Sequence, residues 1–267
     1  MDTEEQCPQC GLAYRGGTVF CVRCGARRAS LFEESSPSES VSAEPAPEPV
    51  SAPVDPRPLA LHYVAQLFGL MLLMNLPIAV LGYASDHSSL VTVVASIAQL
   101  IVVMGFLVMR PQHLRVALTP TVGIVRTLLA TGLALVTVFL WMWGYFTVAH
   151  ALGVPTLSCA SEIVSLGLPL TILLNSVMPA VVEETAFRGL MQRELQVFVP
   201  ESQAVLLQAI AFGIMHLAPI VFVSHVGFGL LLGVLRQRTG SVLPGMVIHA
   251  LWNLAVTLDD ARLVALF

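Results

Sequence analysis

From residue 59 onward the chain is a series of long apolar runs with almost no charge. It holds 8 arginines and 8 acids in 209 positions, against 5 arginines and 9 acids in the first 58. A soluble domain carries about a quarter charged residues, so an ordinary cytosolic globule is excluded for this part. Runs of about 20 apolar residues are long enough to cross the hydrocarbon core of a bilayer. They fall at about 60–83, 88–109, 121–149, 163–182, 203–217, 220–235 and 242–258. The first four are long enough to span. The next two are short halves broken at Ala218-Pro219, and read as short or tilted spans or a re-entrant pair. The expected fold is an all-α polytopic membrane protein of about seven transmembrane or re-entrant helices, preceded by a small polar head on a disordered linker. A pI near 5.9 and a net charge of -4 leave no basic face for a nucleic-acid partner.

The head, residues 1–28, places Cys7, Cys10, Cys21 and Cys24 as two CxxC pairs, followed by Gly11 and Gly25. Two-residue spacing brings both thiolates of a knuckle to one tetrahedral zinc, and the glycine permits the tight turn. This predicts a zinc ribbon with a closed, structural site, whose metal supplies the folding energy of so short a segment. The alternative is two disulfides. The first twenty residues lack the apolar stretch of a secretion signal, which favours a reducing compartment and therefore metal. Arg23, Arg27 and Arg28 read as a solvated face, the alternative being contact with anionic lipid or a protein. Residues 29–58 carry seven prolines among Ser, Ala and Glu, and read as a disordered tether. The head is expected to act as a recruitment or regulatory module for a cytoplasmic partner.

The arginines sort by loop. Arg57 precedes the first run, Arg110, Arg115 and Arg126 flank the turn between the second and third, Arg188 and Arg193 follow the fourth, and Arg236 and Arg238 precede the last. The alternate loops, 84–89, 150–162 and 218–220, have none, and only Arg262 breaks the pattern. The positive-inside rule then sets the head in the cytoplasm of a cell bounded by this inner or plasma membrane. That agrees independently with reduced cysteines. The complete lack of lysine suggests a GC-rich, bacterial genome.

Ionisable groups inside membrane segments are costly and mark function by default. Here they gather in the last third: Glu183, Glu184, Arg188, His216, His249 and Asn253. Residues four apart share a helix face, so Glu184 can pair with Arg188, and His249 can present its tip beside Asn253. Glu183 points about 100° away and is left for chemistry. The set suits hydrolysis by activated water: Glu183, assisted by His216, takes the proton, and His249 with Asn253 donates to the oxyanion. The bland alternative is an interfacial salt-bridge cluster with hydrogen-bonding core histidines. His225 fits no pairing and reads as a core residue. His62, His87, His113 and His150 read as interfacial, and Cys159 as a loop residue without a partner.

HExxH, GxSG and an intramembrane Gly-Asp pair are all missing, which argues against three other intramembrane protease classes. What is present forms an ordered set. Glu183-Glu184-Thr185-Ala186-Phe187-Arg188 fits EExxxR, and Phe212 to His216 fits FxxxH. Phe228, Gly229, Gly233 and Thr239-Gly240-Ser241 lead to His249-Ala250-Leu251-Trp252-Asn253, which fits HxxxN. Over residues 163–258 the chain resembles the CPBP family, the CAAX-protease and bacteriocin-processing membrane proteins that include the type II CAAX prenyl endopeptidases. The resemblance implies an α-helical intramembrane endopeptidase with Glu183, His216, His249 and Asn253 catalytic and Glu184 and Arg188 supporting. Coordination of a catalytic metal by Glu183, His216 and His249 is the open alternative to glutamate chemistry alone. The expected partners are the bilayer and a membrane-associated protein or peptide substrate, prenylated tails not being expected in bacteria. The competing readings are a non-catalytic scaffold or immunity-type protein and a small transporter. One expectation is internally strained: Glu183 falls at the inner end of the fourth run and His216 at the outer end of the fifth, yet they must meet. Either the fifth segment is re-entrant, or residues 187–201 return into the bilayer.

Overall fold

The computed structural model describes Gln6, Cys7, Asp55 and residues 57–81, 88–111, 118–154 and 158–265. The chain divides into two compact units, Met1–Pro53 and Val54–Phe267. In the first, Cys7 is buried. Cys10, Cys21, Cys24, the arginines at 23, 27 and 28, and nearly all of the linker lie outside the described residues, as do His87, His113 and Arg115.

The second unit is helical throughout its described elements. The helices are α1 Arg57–Leu81, α2 Ser88–Met109, α3 Ile124–Ala151, α4 Ala160–Leu166, α5 Leu168–Leu195, α6 Glu201–Met215, α7 Pro219–Thr239 and α8 Leu243–Val264. Five of them, α1, α2, α3, α5 and α7, are long and apolar enough to cross a membrane, so this is a multi-pass membrane protein. α3 turns Leu128, Leu129 and Leu133 outward, as lipid contact allows. The centre of the bundle is α5: 56% of its apolar stretch is buried, against 11–39% in the other four.

The fourth run differs from expectation in both bounds. Gly167, at φ +78°, ends α4, and Pro169 opens α5 at a position where its missing N–H costs nothing. The helix then runs on through Glu183, Glu184 and Arg188 to Leu195, because those charges are compensated inside the protein and need not mark a boundary. Glu183 therefore sits in the middle of a 28-residue helix, and Arg188 is a buried residue of that helix, not a loop arginine. α5 is also not uniform: Leu173–Val177 and Glu184–Met191 are π-helical, with α-helical turns before, between and after. The first widening precedes Pro179, whose ring would meet the carbonyl four residues back in a regular helix.

α6 and α7 form a tight antiparallel pair. A Cβ on Gly229 would lie 2.9 Å from the Ala209 Cα, and one on Gly213 would meet Val226. Gln208 Nε2 donates across this seam to the Gly229 carbonyl at 2.9 Å.

Candidate active site

α5 supplies both carboxylates and the arginine. Glu184 and Arg188 have no exposed side-chain surface, and Arg188 Nη1 lies 3.0 Å from Glu184 Oε1. No N–H of Arg188 is aligned on an acceptor, so charge holds the guanidinium, together with the Phe212 ring 4.3 Å beneath it.

α8 brings His249 to the same point. Its Nδ1 donates to Glu184 Oε1 at 2.9 Å, and its Nε2 lies 3.9 Å from Glu183 Oε2. The two nitrogens of one imidazole thus face two consecutive carboxylates, contributed by a helix 65 residues away in sequence. At 3.9 Å the second contact is too long for a direct hydrogen bond. Glu183 Oε2 is enclosed and accepts none. Asn253 follows one helical turn after His249 and is half-buried, and no described hydrogen bond joins its side chain to the cluster.

α6 and α7 close the site with two further imidazoles. His216 Nδ1 donates to the Phe212 carbonyl and His225 Nδ1 to the Val221 carbonyl, each at 2.8 Å. A neutral imidazole tied in this way presents Nε2 as an acceptor. The two rings lie 3.9 Å apart between centroids. Phe212 is the shared hub, with His216, His225 and His249 at 4.8, 5.9 and 6.1 Å from its ring.

No described contact joins Glu183 to His216 directly. With Glu183 in mid-helix, the end of α6 comes to the level of Glu184 and Arg188, as the Arg188–Phe212 contact records, and His216 stands one turn beyond Phe212.

Two other expectations change. His225 is not an isolated packing residue but stands beside His216. The signal was the tight break at Ala218-Pro219, which lays residues on either side of it next to one another. Cys159 is not without a partner: its N–H donates to Asp260 Oδ2 at 2.7 Å. Burial first, then the Asp260 carboxylate, pushes its thiol up to about 12.

Among the described residues no group of three or more His, Cys, Asp or Glu side chains is placed to hold a metal ion.

No curated protein and no solved structure matches the chain. Residues 165–255 match a protein-family model, that of the Type II CAAX prenyl endopeptidase Rce1-like family. The matched stretch contains α5, α6, α7 and the part of α8 that carries His249 and Asn253, and it supports a CAAX-type intramembrane protease family for this part of the chain.

Proposed function

We propose that this protein is an intramembrane endopeptidase that hydrolyses a peptide bond of a membrane-associated protein or peptide. The observation that carries the reading is the double approach of His249 to Glu184 and Glu183. Glu183, whose Oε2 is unengaged, takes a proton from water, while the bare Nε2 of His216 accepts that water's second hydrogen. The water oxygen attacks the carbonyl carbon. His249, with Nδ1–H anchored on Glu184, can donate from Nε2 only as an imidazolium, and in that form it meets the developing oxyanion together with the Asn253 amide. Glu183 then returns its proton to the leaving amine as the C–N bond breaks.

In the form this step requires, Glu183 and Glu184 balance Arg188 and His249, and a buried set of this kind survives only when paired. Proton transfer moves one negative charge from Glu183 to the oxyanion, so the enclosed net charge does not change during the step.

The test is proteolysis of source-cell membrane proteins by purified protein in liposomes, comparing wild type, Glu183→Gln and His249→Ala. Cleavage by wild type alone, with both variants folded, supports the reading. Equal cleavage by Glu183→Gln overturns the mechanism, and absence of any cleavage moves the protein to a non-catalytic scaffold.

We also propose that the head binds one structural zinc through Cys7, Cys10, Cys21 and Cys24, and that it faces the cytoplasm as a recruitment module. Zinc content by atomic emission should be one per chain and should fall in Cys7→Ser, with the membrane unit still folded. An unchanged zinc content in that variant refutes it.

A further inference from the structure

A second polar cluster lies at the end of the bundle where α5 and α7 finish and α6 begins, apart from the catalytic groups. α5 and α7 run side by side in the same direction. Phe228 packs on His249, beside Glu184, and one to two turns further on Gln192 Nε2 donates to the Gly233 carbonyl at 3.3 Å. Toward the same end come Arg193 at the last turn of α5, Gln196 just after it, and Arg236 on α7. α6 runs the opposite way, with Val205 beside Gly233, so its first residue, Glu201, arrives at that level too.

The donors gathered there lack acceptors. Arg236 is nine-tenths buried, and its Nε–H is enclosed without a partner, as is the Nε2 amide of Gln196. Arg193 and Glu201 are the charged groups within electrostatic reach of Arg236, and no described ion pair engages either arginine. The first intrahelical bond of α6 is from the Ala204 N–H to the Pro200 carbonyl, and Pro200 offers no side-chain cap. The N–H groups of Glu201, Ser202 and Gln203 are therefore also free of helical partners. Two arginines, an amide and an open helix N-terminus, with Glu201 beside them and Glu194 turned to Arg110, make a basin for a tetrahedral oxyanion. Guanidinium forks match phosphate geometry.

We propose that Arg193, Gln196, Arg236 and the N-terminus of α6 form a binding site for a phosphate group, placed where an anionic phospholipid headgroup would sit. Arginines near the ends of membrane helices attract the anionic lipids of the cytoplasmic leaflet. The site binds independently of the protease reading and would hold α5, α6 and α7 together at one end.

The test uses the full chain in micelles titrated with phosphatidylglycerol, phosphatidylcholine or inorganic phosphate. Retained lipid is counted by native mass spectrometry, and thermal stability is followed in parallel. Wild type should bind phosphatidylglycerol at least tenfold more tightly than Arg236→Gln or the half-buried Arg193→Gln, with Arg126→Gln, at the exposed start of α3, behaving as wild type. Stabilisation by inorganic phosphate with no lipid preference, lost in the same two variants, would support the phosphate site and assign it to a soluble source. Equal binding by wild type and both variants, or equal response to phosphatidylcholine and phosphatidylglycerol without stabilisation by inorganic phosphate, overturns the proposal.

Discussion

Replacing Glu184 by Gln preserves shape and removes the charge that faces Arg188. Both side chains are fully enclosed and 3.0 Å apart, so the guanidinium left behind has no access to water. Breaking a buried pair from one side costs about 3–5 kcal/mol. The Phe212 face, 4.3 Å away, is present in both proteins and so leaves that difference unchanged. A net loss of about 3 kcal/mol is expected, roughly a hundredfold in the folded-to-unfolded ratio. The double variant E184Q/R188M removes both charges and should recover most of that stability, since a buried pair exchanged for neutral groups is often close to neutral. Proteolysis should not recover with it. Without a carboxylate on Nδ1, His249 loses the anchor that orients its ring for the proposed oxyanion role, and a lost oxyanion donor costs about 100- to 1,000-fold in kcat. Unfolding in mixed micelles can be followed by fluorescence, because the half-buried Trp252 stacks against Phe146 beside the core. A Glu184→Gln protein as stable as wild type, or a double variant with restored cleavage, would refute the reasoning.

Three smaller substitutions test neighbouring parts. Gly245→Ala places a Cβ 3.0 Å from Glu184 Oε2, on a carboxylate whose other oxygen is already held by Arg188 and His249. Cleavage should fall mainly in kcat, with a stability cost of about 1–3 kcal/mol, and an unchanged kcat would sink the idea. Gly229→Ala drives a Cβ to 2.9 Å from the Ala209 Cα, where only backbone can yield. α6 and α7 must separate, shortening the half-life in detergent and displacing His216 from His225, and a half-life equal to wild type counts against this packing. Cys159, with its thiol pushed up to about 12, has a thiolate fraction at pH 8 roughly a thousandfold below that of an ordinary cysteine. Maleimide labelling should be correspondingly slow and should quicken in Asp260→Asn. Rapid labelling of the wild type would show that the thiol is not shielded.

The outer helices were legible nearly to the residue. The expected runs 60–83, 88–109 and 121–149 compare with Arg57–Leu81, Ser88–Met109 and Ile124–Ala151, because there polar residues mark the ends and hydropathy reports burial in lipid directly. The fourth run was misread because the same logic fails once a charge is buried in protein. Glu183 looks like an end only if nothing inside the bundle answers it. His249 and Arg188, far apart in the chain or one turn away, do answer it, and hydropathy carries no record of such pairing. The EExxxR, FxxxH and HxxxN spacings drew attention to Glu184, Arg188, His216 and His249, which the fold gathers around Phe212, since each is a one-turn relation along a helix. The partnership of His249 with Glu184 and the stacking of His225 beside His216 are relations between helices, and no local spacing encodes them.

One imidazole lies between two adjacent glutamates, although consecutive residues of an α-helix diverge by about 100°. Glu183, at φ -74° and ψ -40°, and Glu184, at φ -64° and ψ -37°, both keep α-helical backbone, so the π-helical stretch Glu184–Met191 is not what brings them to one histidine. The ring itself spans the gap. Glu184 Oε1 meets Nδ1 at 2.9 Å, and Glu183 Oε2 stops 3.9 Å from Nε2, the other nitrogen of the same ring. Glu184 also reaches Arg188 four residues on, at 3.0 Å. The π-helical stretch falls where Thr185, Ala186 and Phe187 are all enclosed, with Phe187 against Phe212. On the other side Gly245 leaves room for the Glu184 carboxylate, which a Cβ there would approach to 3.0 Å. The approach of both carboxylates to His249 is thus a relation between α5 and α8, and an apolar sequence pattern cannot display it.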